Sequence, residues 1–320
     1  MILTDKHIEF IQKTIQKKDF NFYFTEPTRL STLYWTINTY KLLKREDLIQ
    51  KQEILDFVLS CKNEDGGFGG NKDYPSNVIS TFNALQILFI LKQSYSCPKT
   101  ASFILNLIQE DGSIWNDEFG ESDVRILCSG VLSLHLLEIL SREKNFLDEK
   151  RSREKFKNPV SDETMPYEVK FKVCEYIMNC YNRDGGFGSI PGGESHNAFT
   201  FCCLSSLRSL GALETFGVTD ILRFIVLRQK ENGGISGRVG KKEDVCYSFW
   251  AYSSMILIKK SHLINENELR NFIFSCQNKE GGFSDRPGNE PDIYHLMFSL
   301  AALSLLGHED LNEVDPGFCL

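Results

Sequence analysis

Five segments of one pattern recur along this chain of 320 residues: FVLSCKNEDGGF from Phe57, FILNLIQEDGSI from Phe103, YIMNCYNRDGGF from Tyr176, FIVLRQKENGGI from Phe224 and FIFSCQNKEGGF from Phe272. In each, an aromatic residue stands nine positions before a glycine: Gly66, Gly112, Gly185, Gly233 and Gly281. Those glycines are 46, 73, 48 and 48 residues apart. A fixed period of this size marks stacked supersecondary units, none of which can bury its apolar face alone. The long interval returns to the period once about 26 residues are set aside, the charged stretch SREKNFLDEKRSREKFKNPVSDETMP at 141–166. This stretch is expected to be a mobile surface loop inserted between helices.

Each unit reads helix, Gly turn, loop, helix. Before the last turn, Leu269, Phe272, Ile273 and Cys276 fall at i, i+3, i+4 and i+7, one face of an amphipathic helix. The acidic or amide residue and Gly that follow are expected to stop that helix. The helices after the loops differ: SLAALSLLG and TFCCLSSLRSL are apolar or small almost all round, as suits burial on several sides. With a first unit lacking the turn (5–45), about six hairpins alternate outer and inner helices. No strand alternation competes. The fold expected is all-α, an α/α toroid, as a single domain over 1–320 with the insertion at 141–166.

Composition narrows function. Apolar residues make up 42% and charged residues 25%, and the net charge is −7 with a pI near 5.5. A global basic footprint for nucleic acid is therefore absent. No sequence run approaches the roughly 20 apolar residues of a membrane span. The start MILTDKHIEF has no signal-peptide pattern, so the ten cysteines are expected reduced and the protein cytoplasmic.

If the units are equivalent, the polar residues that open each inner helix converge on one mouth of the toroid. They are Asn77, Arg125, His196, Asp244, Cys246, Asp292 and His295. A polar, metal-capable rim above an apolar lumen suits a ligand with a charged head and a greasy tail. Asp244, Cys246 and His295 supply three O, S and N donors, a catalytic zinc pattern with one position open. Spacing alone equally allows Asp244 and Asp292 as helix N-caps, Cys246 as a buried small residue and His295 as a core histidine. Arg238, Lys241, His196 and Tyr247 form a local anion-binding candidate, or a solvated charged loop.

The strings GESH (193–196), GRVGKKEDVCYSFW (237–250) and GGFSDRPGNEPDIYH (281–295), with the Gly-turn repeats, resemble the β subunits of the protein prenyltransferases over essentially the whole chain. Within that family, DVCYS at 244–248 and the ending VDPGFCL are similar to the type II enzyme, which modifies Rab GTPases. The resemblance implies that Asp244, Cys246 and His295 hold Zn2+. It implies that His196, Arg238, Lys241 and Tyr247 bind the diphosphate of geranylgeranyl diphosphate. Asn197, Ala198, Ser248, Phe249 and Trp250 match contacts to the lipid, and Arg125 an arginine at the lumen's mouth. Asp285 matches a carboxylate that assists with Mg2+ in the farnesyl enzyme. Ser31 and Cys128 stand where that enzyme carries bulky residues, which implies room for a twenty-carbon chain. Implied partners are an α subunit in an obligate heterodimer and a Rab escort protein presenting a Rab GTPase. A type I geranylgeranyl or farnesyl enzyme acting on C-terminal Cys-aliphatic-aliphatic-x boxes is the near alternative. A terpene cyclase, which shares the toroid, is disfavoured because no DxDD string occurs. A metal-free helical scaffold is the last reading.

Overall fold

The computed structural model describes residues 1–142, 156, 158–215 and 219–320. In chain order the helices are α1 (Thr4–Gln16), the short α2 (Phe20–Phe24), α3 (Arg29–Leu42), α4 (Lys51–Ser60), α5 (Val78–Ile90), α6 (Pro98–Asn106), α7 (Val124–Arg142), α8 (Tyr167–Asn179), α9 (Asn197–Leu210), α10 (Thr219–Val226), α11 (Cys246–Leu257), α12 (Glu266–Ser275) and α13 (Ile293–Leu305). The inner set is α3, α5, α7, α9, α11 and α13. Each packs on the next and α13 returns to α3, closing a ring of six. Helices α1, α4, α6, α8, α10 and α12 form the outer layer. This is the expected α/α toroid. The inner helices are buried on nearly every side, as in α5 and α13. Helix α7 is long and apolar enough to cross a membrane by length and composition, yet it lies mostly buried between α5 and α9.

The glycine period records how the units interlock. The outer helices end several residues before the glycines, at Ser60, Asn106, Asn179, Val226 and Ser275. The glycines are therefore not the helix stops that the sequence suggested. Each sits instead in a tight reversal flanked by an antiparallel bridge, such as Tyr181 to Phe187 or Gln229 to Ile235; in the first turn, Phe68–Gly69 also pairs with Ser76–Asn77. The first glycine has φ between +83° and +100° in all five. It also abuts the backbone of the next outer helix: a Cβ on Gly185 would lie 2.0 Å from the Asp220 carbonyl oxygen. On Gly233 it would lie 2.0 Å from that of Glu268, and on Gly281 it would lie 2.1 Å from that of Lys6, which returns to the first unit. Only a residue without a side chain meets both demands.

The inner helices all start at one end. Their first residues are tied to the neighbouring loop by backbone bonds: Leu30 to Gly70, Val78 to Asn116, Val124 to Ser189, Asn197 to Gly237 and Val245 to Asp285. Two to three helical turns below those starts, residues 315–320 lie across the barrel, buried but for the half-buried Pro316. Ser205 Oγ donates to the Gly317 carbonyl (2.7 Å), Gln86 Nε2 to that of Phe318 (3.3 Å), and Tyr34 Oη and Asn38 Nδ2 to that of Cys319 (3.0 and 2.8 Å). Arg208 grips Asp315 with two 2.8 Å bonds.

Of the stretch 141–166, residues 143–155 and 157 lie outside the described residues. Ser141 and Arg142 complete α7. Phe156, Val160 and Met165 are buried, and the Val160 N–H donates to the Ser209 carbonyl on α9. The described end of the insertion is thus packed, not a loose surface loop, because it carries apolar residues that reach the core. All ten cysteines are free.

Candidate active site

Asp244, Cys246 and His295 meet where α11 and α13 begin. One ligand atom from each lies within 4.8 Å of the others, the only such group among the described residues. Local structure places all three. The Asp244 carboxylate accepts the Cys246 N–H at 2.9 Å, so it precedes the helix while the thiol sits in its first turn. Asp292 caps α13, accepting the His295 N–H at 2.8 Å. Its other oxygen takes His295 Nδ1 at 2.6 Å, which turns Nε2 toward Asp244 at 3.4 Å. A carboxylate fixing the far nitrogen of a histidine is the supporting arrangement that metal sites use to set the tautomer. Burial lowers the His295 pKa, but its bonds to Asp244 and Asp292 outweigh this and raise it to about 9. Burial, and then the Asp244 charge, push the Cys246 thiol well up. Cys246 and His295 thus keep their protons at neutral pH, whereas at the Asp244 carboxyl burial is outweighed by bonds with His295 and Cys246, which lower its pKa. The mixed carboxylate, thiol and imidazole set fits Zn2+, which these residues would bind with loss of those protons.

His196 begins α9 on the neighbouring side. Burial and the nearby Arg238 charge drop its pKa to about 4. Its Nδ1 accepts the Ala198 N–H at 3.2 Å, so the neutral ring carries its proton on Nε2, 3.3 Å from Tyr247 Oη. That bond makes the tyrosine oxygen an acceptor and leaves its own proton free to point elsewhere. Gly237 permits the pairing, since a Cβ there would lie 2.6 Å from both His196 Nε2 and the tyrosine ring. Arg238 is ion-paired with Glu194 on the rim, and Lys241 is exposed on the same loop. Arg125 is held by Asp123.

Below this mouth runs a cavity of about 530 Å3. Cys246, Tyr247, His196 and Arg125 line its entrance; Trp35, Phe82, Cys128, Leu132, Phe201, Trp250, Tyr294 and Phe298 form its walls; Gly317, Phe318 and Cys319 lie at its foot. The rings interlock, with Trp250 4.3 Å from Phe298 and 4.8 Å from Phe201, and Trp35 edge-on to Tyr294 at 5.2 Å.

Ala198 also lines the cavity, whereas Asn197, Ser248 and Phe249 do not. Asn197 bonds the Ser236 carbonyl, and Ser248 and Phe249 are fully buried between helices. Ser31 is one step removed, accepting a 2.7 Å bond from Asn83, which is itself a lining residue. The Asp285 carboxylate is taken up by Arg286 and Asn289 of its own loop. Sequence reasoning missed the walls one and two turns below the rim, such as Phe82, Cys202 and Phe298. Their signal is the helical period counted down from the mouth: Arg125 leads to Cys128 and Leu132, Ala198 to Phe201 and Cys202, Tyr294 to Phe298. For Gly317, Phe318 and Cys319 no repeat gives a signal.

The model of the prenyltransferase alpha-alpha toroid domain matches residues 2–320. The chain belongs to that family. Among curated relatives, this prenyltransferase-family chain is 32% identical over 234 residues to a geranylgeranyl transferase type-2 subunit beta of Candida albicans, covering 68% of the chain and 61% of that protein. It is 34% identical over 221 residues to the protein of that name from Saccharomyces cerevisiae, covering 67% and 60%. The match thus spans about three fifths of each relative's own length. A solved structure, Candida albicans protein geranylgeranyltransferase-I complexed with GGPP, superimposes with a TM-score of 0.77 at 23% identity, covering 99% of this chain and 95% of that one. At that identity the likeness concerns the fold.

Proposed function

We propose that this chain is the catalytic β subunit of a protein geranylgeranyltransferase of type II. In this reading it works in the cytoplasm with an α subunit and moves the geranylgeranyl group from geranylgeranyl diphosphate to C-terminal cysteines of Rab GTPases carried by an escort protein. The observation that carries the reading is the juxtaposition of the Asp244, Cys246 and His295 donors with a polar entrance and an aromatic lumen. The type-2 relatives support the choice of acceptor.

A zinc ion held by Asp244, Cys246 and His295 supplies a Lewis-acidic position that favours the thiolate form of an acceptor cysteine at neutral pH. The acceptor sulfur forms a bond to C1 of the prenyl group as the C1–O bond breaks, its electron pair leaving on the diphosphate. The residues of this chain act on that leaving group. His196 remains neutral at pH 7 and donates its Nε2 proton to Tyr247 Oη, which orients the tyrosine to offer its own hydroxyl proton to the diphosphate. Arg238 and Lys241 add charge from the rim, Arg238 exchanging Glu194 for phosphate oxygens. One preorganised donor to developing negative charge is worth about 3–4 kcal/mol. The lumen walls exclude water and align the lipid with its reactive end at the mouth.

The test is single-turnover transfer of labelled geranylgeranyl from its diphosphate by the chain co-expressed with its second subunit, offered either an escorted Rab or a peptide ending in a Cys-aliphatic-aliphatic-x box. Transfer to the Rab, lost with bound zinc in Cys246→Ser, is expected. Transfer to the box peptide alone would replace the type II reading by type I. Retained zinc and retained transfer in Cys246→Ser would remove the ligand assignment.

A further inference from the structure

We propose that Phe318, backed by Phe156, is the end-stop that fixes the longest prenyl chain the lumen accepts. This inference rests on the prenyl-donor reading above. The cavity that opens at His196 and Tyr247 reaches down to Gly317, Phe318 and Cys319, so these residues face the far end of any lipid whose head sits at the mouth. The Phe318 side chain is 2% exposed and stacks on Phe156 at 4.3 Å, with His135 edge-on at 5.2 Å. Two segments far apart in sequence therefore meet ring to ring beneath the cavity.

The stop is rigid. Asp315 accepts the Gly317 and Phe318 N–H groups at 2.8 and 3.0 Å, and Arg208 holds both of its oxygens. The same guanidinium reaches the Phe156 carbonyl at 3.1 Å, so one side chain fastens both halves. Carbonyls of residues 316–319 accept bonds from inner helices around the barrel: Ser253 on α11, Ser205 on α9, Gln86 on α5, and Tyr34 and Asn38 on α3. Cys319 keeps a left-handed φ of +56°, a conformation that persists when its surroundings over-determine it. A floor held from so many sides does not yield to a longer chain; removing a ring from it adds length to the cavity.

The experiment measures direct binding of farnesyl, geranylgeranyl and geranylfarnesyl diphosphate to the full chain co-expressed with the second subunit, for wild type, Phe318→Ala and Phe156→Ala. Each carbon newly buried is worth about fourfold in affinity, and a lost ring makes room for a few. Phe318→Ala is therefore expected to raise the geranylfarnesyl to geranylgeranyl affinity ratio about tenfold or more. Phe156→Ala should shift it in the same direction by less. Farnesyl diphosphate, too short to reach the floor, reports that each variant is folded. Phe318→Leu takes the place of any variant that fails this control, with a shift smaller than that of Phe318→Ala. An unchanged ratio in variants that still bind farnesyl diphosphate overturns the end-stop. A wild type that binds none of the three overturns the donor reading itself.

Discussion

Replacing Asp292 by Asn separates two jobs that one carboxylate performs. One oxygen caps α13 through the His295 N–H, and the other holds His295 Nδ1 at 2.6 Å. Asn caps a helix about as well as Asp, so the variant should stay within about 0.5 kcal/mol of wild type, whereas Asp292→Ala should lose about 1 kcal/mol. The ring is affected differently. With its oxygen committed to the cap, the amide presents N–H to Nδ1, which must then accept. The proton moves to Nε2, the nitrogen that faces Asp244 and has to be bare to hold a metal. Loss of such a supporting partner weakens metal binding about 10–100-fold, or about 1.4–2.7 kcal/mol. A smaller effect opposes this. The Asp292 charge helps raise His295 to about 9, so removing it eases proton competition at neutral pH. Zinc titration against a chromophoric chelator at about pH 9.5, above that value, isolates the ligand effect. Thermal melts of the metal-free proteins give the stability arm. An Asp292→Asn variant that binds zinc within about threefold of wild type would refute the reasoning. So would one as destabilised as Asp292→Ala.

Three further outcomes follow from packing and burial. Gly233→Ala combines a φ of +83° with a Cβ 2.0 Å from the Glu268 carbonyl, and urea unfolding should show a loss of about 2–4 kcal/mol; a loss under about 1 kcal/mol would mean the turn relaxes freely. His7 is fully buried, and burial holds its pKa at about 4 against an unfolded value of 6.5. The unfolded chain therefore binds this proton first, and stability is complete above pH 6.5 and declines toward pH 4, by about 3 kcal/mol for this one group. Urea midpoints across that range should flatten in His7→Asn, and an identical slope would exclude the assignment. Arg208→Gln leaves the buried Asp315 carboxylate without its cation and should cost about 3–5 kcal/mol, read in the same unfolding assay.

The period was legible because the contact that closes the toroid demands glycine at each turn, so geometry is written directly into residue type. The function assigned to those glycines was less legible: a left-handed Gly after a helical pattern reads as a cap, and only the approach of the next backbone distinguishes an interlock. The rim could be placed by offset because the inner helices start together. Of the lipid contacts that the resemblance implied at Ser248, Phe249 and Trp250, only Trp250 lines the cavity, for a different reason. Successive residues turn by about 100°, so Cys246, Tyr247 and Trp250 face the lumen while Ser248 and Phe249 turn into the neighbouring helices. Asp292 looked like a cap, and it is one; its second oxygen's hold on His295 depends on a rotamer that spacing does not encode. Residues 315–320 match no unit, and nothing in their composition says that the barrel closes around them.

Because the fifth glycine turn docks on Lys6 of the first unit, the structure has no free end at which another hairpin could be added. An open superhelix can gain or lose a module and merely change its length. Here a seventh module would alter the circumference, spread the three donors and loosen every seam at once. Variation in size is thereby channelled into the connections between hairpins, while the number of staves in the barrel stays at six.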